Sequence, residues 1–100
     1  MKTLDLNLHR NSVKILRQTP HSQFGVVTLA PGKDIWPDET SSGDHIIHII
    51  EGKARVEIGK EKFLISQGMV LFVPPSMRHH IFNIGSSNLF YVNIYCPPLY

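Results

Sequence analysis

Two pairs of histidines could do chemistry in this chain: His45 and His48 in HIIHII, and His79 and His80 at the head of HHIFNI. Acids stand shortly upstream of the first pair, among them Asp38 and Glu39 in GKDIWPDETSSGDHIIHIIEG. Imidazole and carboxylate are ligands for divalent ions, and imidazole also moves protons near neutral pH. In a regular strand successive side chains point to opposite faces. His45, Ile47 and Ile49 therefore face one way, and Ile46, His48 and Ile50 the other. The same parity separates His79 from His80. One member of each pair can face a shared interior, and the other then faces outward or toward a subunit contact.

The elements that must position them read as strands. Short runs rich in β-branched and aromatic residues are separated by Gly, Pro, Asn and Ser throughout. The candidates are LDLNL near residues 4 to 8, SVKIL from Ser12, FGVVTLA from Phe24, HIIHIIEG from His45, ARVEIG from Ala54, EKFLI from Glu61, MVLFVP from Met69, HHIFNI from His79 and LFYVNIYC from Leu89. In ARVEI the residues Ala54, Val56 and Ile58 share a face opposite Arg55 and Glu57, the mark of a half-buried strand. Gly59 and Lys60 form a tight turn into EKFLI. MVLFVPP is apolar at consecutive positions, which requires cover on both faces or a subunit contact, and Pro74 ends it. So many short strands in 100 residues predict an all-β antiparallel sandwich or small barrel.

Composition narrows the function classes. The chain is 42% hydrophobic and 18% charged, with a formal charge of +2 spread along its length. No basic cluster points to nucleic acid. No apolar run is long enough for a membrane span, and the start lacks the apolar core of a signal peptide, so a cytoplasmic protein is expected. Cys96 is the single cysteine; it excludes an internal disulfide and reads as a half-buried packing residue. A domain of this size buries a modest core, and a homodimer is expected. Leucines at positions 4, 6 and 8 fit either an ordinary edge strand or one that pairs with a partner subunit.

The spacing around both histidine pairs resembles the cupins, small β-barrels of jelly-roll type, also described as a double-stranded β-helix. Their first motif runs Gly, five residues, His-x-His, three or four residues, Glu, six residues, Gly; here Gly32 leads to Asp38-Glu39-Thr40, then His45, then Gly52 at the same intervals. Their second runs Gly, five residues, Pro-x-Gly, two residues, His, three residues, Asn; here it reads Gly68, Pro74-Pro75-Ser76, His79 and Asn83. Ser76 replaces a glycine, and Asp38, Thr40 and His45 stand where the family has His, His and Glu. The resemblance implies one domain over residues 1–100. Residues 26–98 form the barrel core and residues 1–23 add N-terminal strands that are candidates for dimer pairing.

The resemblance also implies a site. Carried over, the metal ligands are Asp38, His45 and His79, a set that suits Fe(II), Mn(II), Ni(II) or Zn(II) and leaves positions open for water or substrate. Thr40 holds at best a metal-bound water, and Glu39 substitutes if the loop shifts by one residue. Affinity is expected to fall below about pH 6, where free imidazole protonates. The alternative of equal weight is a metal-free barrel that binds or senses a small-molecule ligand without catalysis. Trp36 is placed as a pocket wall and Arg78 as a contact for an anionic substrate, against the plainer readings of rim packing and a solvated side chain. Tyr91, Asn93 and Tyr95 share one face of the last strand. Facing inward they would bring hydroxyl and amide groups to the cavity, but the apolar Phe90, Val92 and Ile94 on the other face argue mildly for the reverse.

Overall fold

A computed structural model describes residues 3–35 and 42–99. Among the described residues nine strands follow a single 3-10 turn: β1 (Lys14–Gln18), β2 (Gln23–Leu29), β3 (Asp34–Ile35), β4 (Asp44–Glu51), β5 (Lys53–Ile58), β6 (Glu61–Ser66), β7 (Val70–Val73), β8 (His79–Asn83) and β9 (Leu89–Cys96). They form two antiparallel sheets, one ordered β1-β2-β9-β4-β7 and the other β3-β8-β5-β6. The β5–β6 hairpin lies between Gly52 and Gly68, as the motif frame requires, and turns at Gly59 with φ of +58°. Gly52 takes φ of +96°, and a Cβ there would stand 2.9 Å from the Asn88 carbonyl oxygen. Only glycine satisfies both conditions without strain.

Alternation sets the core. Ile47 and Ile49 of β4, Ala54, Val56 and Ile58 of β5, Ile81 of β8 and Leu89 and Tyr91 of β9 are buried together between the two sheets. The inward faces of three strands change character along their length. β4 runs from His45 to Ile47 and Ile49, β8 from His79 to Ile81 and Asn83, and β9 from Tyr95 through Asn93 to Tyr91 and Leu89. Strand pairing of His45 with Tyr95 and of Ile49 with Tyr91 fixes this order, so imidazole and phenol collect at one end above an apolar floor.

Two expectations need correction. LDLNL is no strand: Leu6–His9 forms a 3-10 turn. The Asp5 carboxylate accepts a bond from the Asn7 backbone N–H, and the Asn7 side chain accepts one from Arg10 Nε. Such local side-chain bonds compete with a strand ladder and override the alternation of leucines. Arg10 then pairs with Glu51 and lies over the Phe90 ring, 5.5 Å from its centre, and Leu6 packs beside Val26, Phe90 and Val92. The mild preference for Phe90, Val92 and Ile94 as the inner face of the last strand is also reversed. Tyr91 belongs to the core between the sheets, whereas Phe90 and Val92 form a second apolar cluster on the outer side with Val26.

Candidate functional site

His45 and His79 come from different sheets and meet at the polar end of the barrel, their ring centres 5.0 Å apart and tilted by 56°. Both are buried, at 2% and 4% exposure. Tyr95, opposite His45 across the β4–β9 ladder, stacks on its ring at 4.2 Å. Asn93 Oδ1 lies 2.9 Å from His45 Nε2. With that oxygen accepting, Nε2 carries the proton and the lone pair of the ring sits on Nδ1. Burial lowers the pKa of His45, and the Asn93 bond opposes this only in part. Burial, with His45 beside it, lowers His79 further, to about 4, against a weaker pull from the Met77 backbone. Both rings are therefore neutral at pH 7 and hold lone pairs ready to donate.

His79 is the unusual member. Both of its ring nitrogens are buried, and among the described residues neither makes a hydrogen bond of full geometry, the Met77 backbone giving the ring only a weak one. A buried polar atom left unpaired costs about 1–3 kcal/mol, so two on one ring call for an occupant with polar chemistry. Two neutral imidazoles in contact suit a borderline divalent ion as far as they go. Among the described residues no three His, Cys, Asp or Glu side chains group closely enough to hold an ion. Asp38, Glu39, Thr40 and Trp36 lie outside the described residues.

The other expected positions divide. Tyr91 lies a layer below the histidines, 1% exposed in the apolar core, and burial together with Tyr95 holds its hydroxyl pKa well above the usual value. Arg78 is exposed and lines a cleft of about 680 Å³ with Glu57, Gly59 and Met77. A carboxylate in the same cleft weakens the case for Arg78 as an anion anchor.

Sequence reasoning gave Asn93, by its parity with Tyr91 and Tyr95, an amide in the cavity if that face points inward, but not its bond to His45. It also placed His80 outside. His80 is 9% exposed, bonded to Asp34 Oδ2 at 2.5 Å through Nε2, with the Phe82 ring 3.9 Å away. That pair joins β8 to β3, so His80 ties these two strands together while His79 faces the interior. A separate cleft of about 340 Å³ reaches Asn93 and Tyr95 from the side of β1, walled by Val13, Ile15, Gly25 and Leu99. Gly25 keeps this wall low: a Cβ there would meet the Lys14 carbonyl oxygen at 3.1 Å.

Comparison with known proteins agrees with the geometry. The family model described as "Cupin domain" matches residues 25–95. An uncharacterised protein of Acanthamoeba polyphaga mimivirus is 31% identical over 85 residues, covering 82% of this chain and 52% of the viral protein. The chain spans about half or less of the length of the curated relatives it matches. Among solved structures, an RmlC-like cupin with a double-stranded β-helix fold from Methanocaldococcus jannaschii superposes with a TM-score of 0.76 at 26% identity, covering 85% of this chain and 78% of the other. A double-stranded β-helix protein from Klebsiella pneumoniae gives a TM-score of 0.87 at 16% identity, over 97% of this chain and 90% of that one.

Proposed function

Because this chain belongs to the cupin family, we propose that its barrel mouth binds a divalent metal ion together with a small-molecule ligand that has an oxygen-bearing head and an apolar body. One observation carries the reading: His79 is buried, neither ring nitrogen makes a hydrogen bond of full geometry among the described residues, and the ring is in contact with a second neutral imidazole. His45 and His79 supply nitrogen donors, and Asp38 is the carboxylate that the motif frame provides. Such a set suits Fe(II), Mn(II), Ni(II) or Zn(II) and supplies Lewis acidity to a ligand oxygen when the ion is bound.

The chain's own residues do the rest. Asn93 fixes the tautomer of His45, and Tyr95 fixes its plane. The β1 cleft offers Val13 and Ile15 to an apolar body whose head reaches Asn93 and Tyr95. The single cysteine suits a reducing compartment, which makes the cytoplasm the proposed location.

A metal-free ligand-binding barrel is the second reading. It draws on Thr40 in a family histidine position and on the hydrogen bond that already occupies one nitrogen of His45. Elemental analysis of untagged, chelator-free protein separates the two. The proposal expects a stoichiometric ion in the wild type, lost in both His45→Ala and His79→Ala. No ion in the wild type after incubation with Fe(II), Mn(II), Ni(II) and Zn(II) would overturn it in favour of the second reading.

A further inference from the structure

Along β5 the partners on β8 run from His79 opposite Ile58 to Asn83 opposite Ala54. At this second end, away from the histidines, three segments close around a polar cleft of about 600 Å³: the turn from Glu51 to Lys53, the exit of β6 at Ser66 and Gln67, and the stretch from Ile84 to Ser87. Strand pairing sets Lys53 beside Ser66, and the Ile84 backbone N–H donates to the Lys53 carbonyl oxygen at 3.2 Å. The three residues form one row. The same three wall a smaller, apolar cleft of about 200 Å³ with Leu64 and Ile65. A polar recess and an apolar one therefore adjoin along this row.

The polar recess offers donors that the chain itself does not use. The Glu51 carboxylate pairs with Arg10, whereas the Lys53 ammonium makes no ion pair among the described residues. The Ser86 and Ser87 hydroxyls make no hydrogen bond among the described residues, and Ser66 Oγ has only the Met69 sulfur at 3.6 Å. The backbone that carries them is held in place: the buried Asn83 side chain donates to the Ser87 carbonyl and accepts from the Gly85 N–H. Gly85 also keeps the recess open, since a Cβ there would stand 3.7 Å from the Lys53 Cβ. On the apolar side Leu64 is 70% exposed and Ile84 47%.

We infer that the two recesses together bind a phosphate monoester whose apolar body is about the size of one aromatic ring. One ammonium, three hydroxyls and the Gln67 amide are more donors than a carboxylate's two oxygens use. Lysine serves phosphate as a point charge, whereas bidentate carboxylate recognition favours arginine. A cavity of about 150 Å³ holds benzene, so the apolar recess has room for one ring, which would cover Leu64 and Ile84. The inference is independent of any ion at His79.

Titration of isotope-labelled protein with phenyl phosphate, followed by amide NMR, tests it on wild type, Lys53→Gln, Leu64→Ser and Lys62→Gln. Phenol, inorganic phosphate and benzoate serve as comparisons. Lys62 is exposed on β6 outside both recesses, so its loss controls for general charge, and the amide spectrum itself shows that each variant is folded. Saturable shifts are expected at residues 51–53, 64–67 and 84–87, with phenyl phosphate bound at least about tenfold more tightly than any comparison compound. Lys53→Gln and Leu64→Ser should each weaken binding about tenfold, and Lys62→Gln less than about twofold. The absence of saturable shifts at millimolar phenyl phosphate, or shifts centred on His45 and His79, would overturn the inference. So would a comparison compound that binds as tightly, an unaffected Leu64→Ser, or equal losses in Lys53→Gln and Lys62→Gln.

Discussion

His45 and Tyr95 face each other directly across the β4–β9 ladder, and their rings lie nearly parallel, 17° apart, with centres at 4.2 Å. A position fixed by strand register thus becomes a fixed ring plane, and the stack also keeps water from the imidazole. Removing it should rehydrate His45. In Tyr95→Ala the His45 pKa, followed by proton NMR of the ring, is expected to rise from its lowered value toward 6.5. Tyr95→Phe keeps the ring and should leave the titration near that of wild type. An unchanged pKa in Tyr95→Ala would show that burial by other groups, and not the stack, governs the ring.

His79 makes stability depend on acid. Its folded pKa of about 4 lies below the unfolded value of 6.5, so between these pH values the unfolded chain holds more protons than the native one. Stability contributed by the neutral ring is complete above about pH 6.5 and is lost as pH falls through about 4, a change on the order of 3 kcal/mol. Urea unfolding of metal-free protein from pH 7 to pH 4 should show this decline, and His79→Gln should flatten it. A decline of equal size in the variant would assign it to other groups. The same shift moves the acid limit for metal binding below the pH of about 6 that a free imidazole sets.

Ser76 stands where the family motif has glycine, and its backbone takes φ of +60°. A side chain in that left-handed region costs about 1–2 kcal/mol, more for a β-branched residue. Ser76→Val is expected to lower the unfolding free energy by about 1–2 kcal/mol, whereas Ser76→Gly should be neutral or slightly stabilising. Equal stability of the two variants would mean that the loop before His79 relaxes out of this conformation.

Most strands were legible because alternation and turn residues agree in β4, β5, β6, β8 and β9. The exceptions have physical causes. β3 is two residues long, too short for any period, and exists through its pairing with β8 and the Asp34–His80 bond. LDLNL alternates correctly, but the Asp5 side chain turns back on the Asn7 backbone N–H and the Asn7 side chain takes a bond from Arg10 Nε. The inner face of β9 was illegible because that strand is apolar on its outer side as well, where it packs under Leu6 and Leu16. Of the site, parity gave one inward histidine in each pair, and the motif frame chose His45 and His79. The anchoring of His80 depends on a partner 46 residues away, which no local pattern records.

Asn83 is the last residue of the second motif frame, yet it works at the far end of the barrel from the histidines. Its Nδ2 donates to the carbonyls of Leu29 at 2.8 Å and Ser87 at 2.9 Å, and its Oδ1 accepts from the Gly85 backbone N–H at 2.9 Å. At 3% exposure the Asn83 side of all three bonds is shielded from water, and truncation leaves three partly buried backbone partners at once. A buried group left unpaired costs about 1–3 kcal/mol. Relaxation of the 84–88 loop recovers part of this, so Asn83→Ala is expected to lose about 2–4 kcal/mol. Ile81 separates Asn83 from His79 along β8, so the His79 titration and any ion content per folded molecule should be unchanged. Denaturant unfolding and the NMR titration together check this. A stability loss below about 1 kcal/mol would mean that water replaces the network readily. A shifted His79 pKa would mean that the two ends of the strand are coupled, and that the motif's asparagine also tunes its histidine.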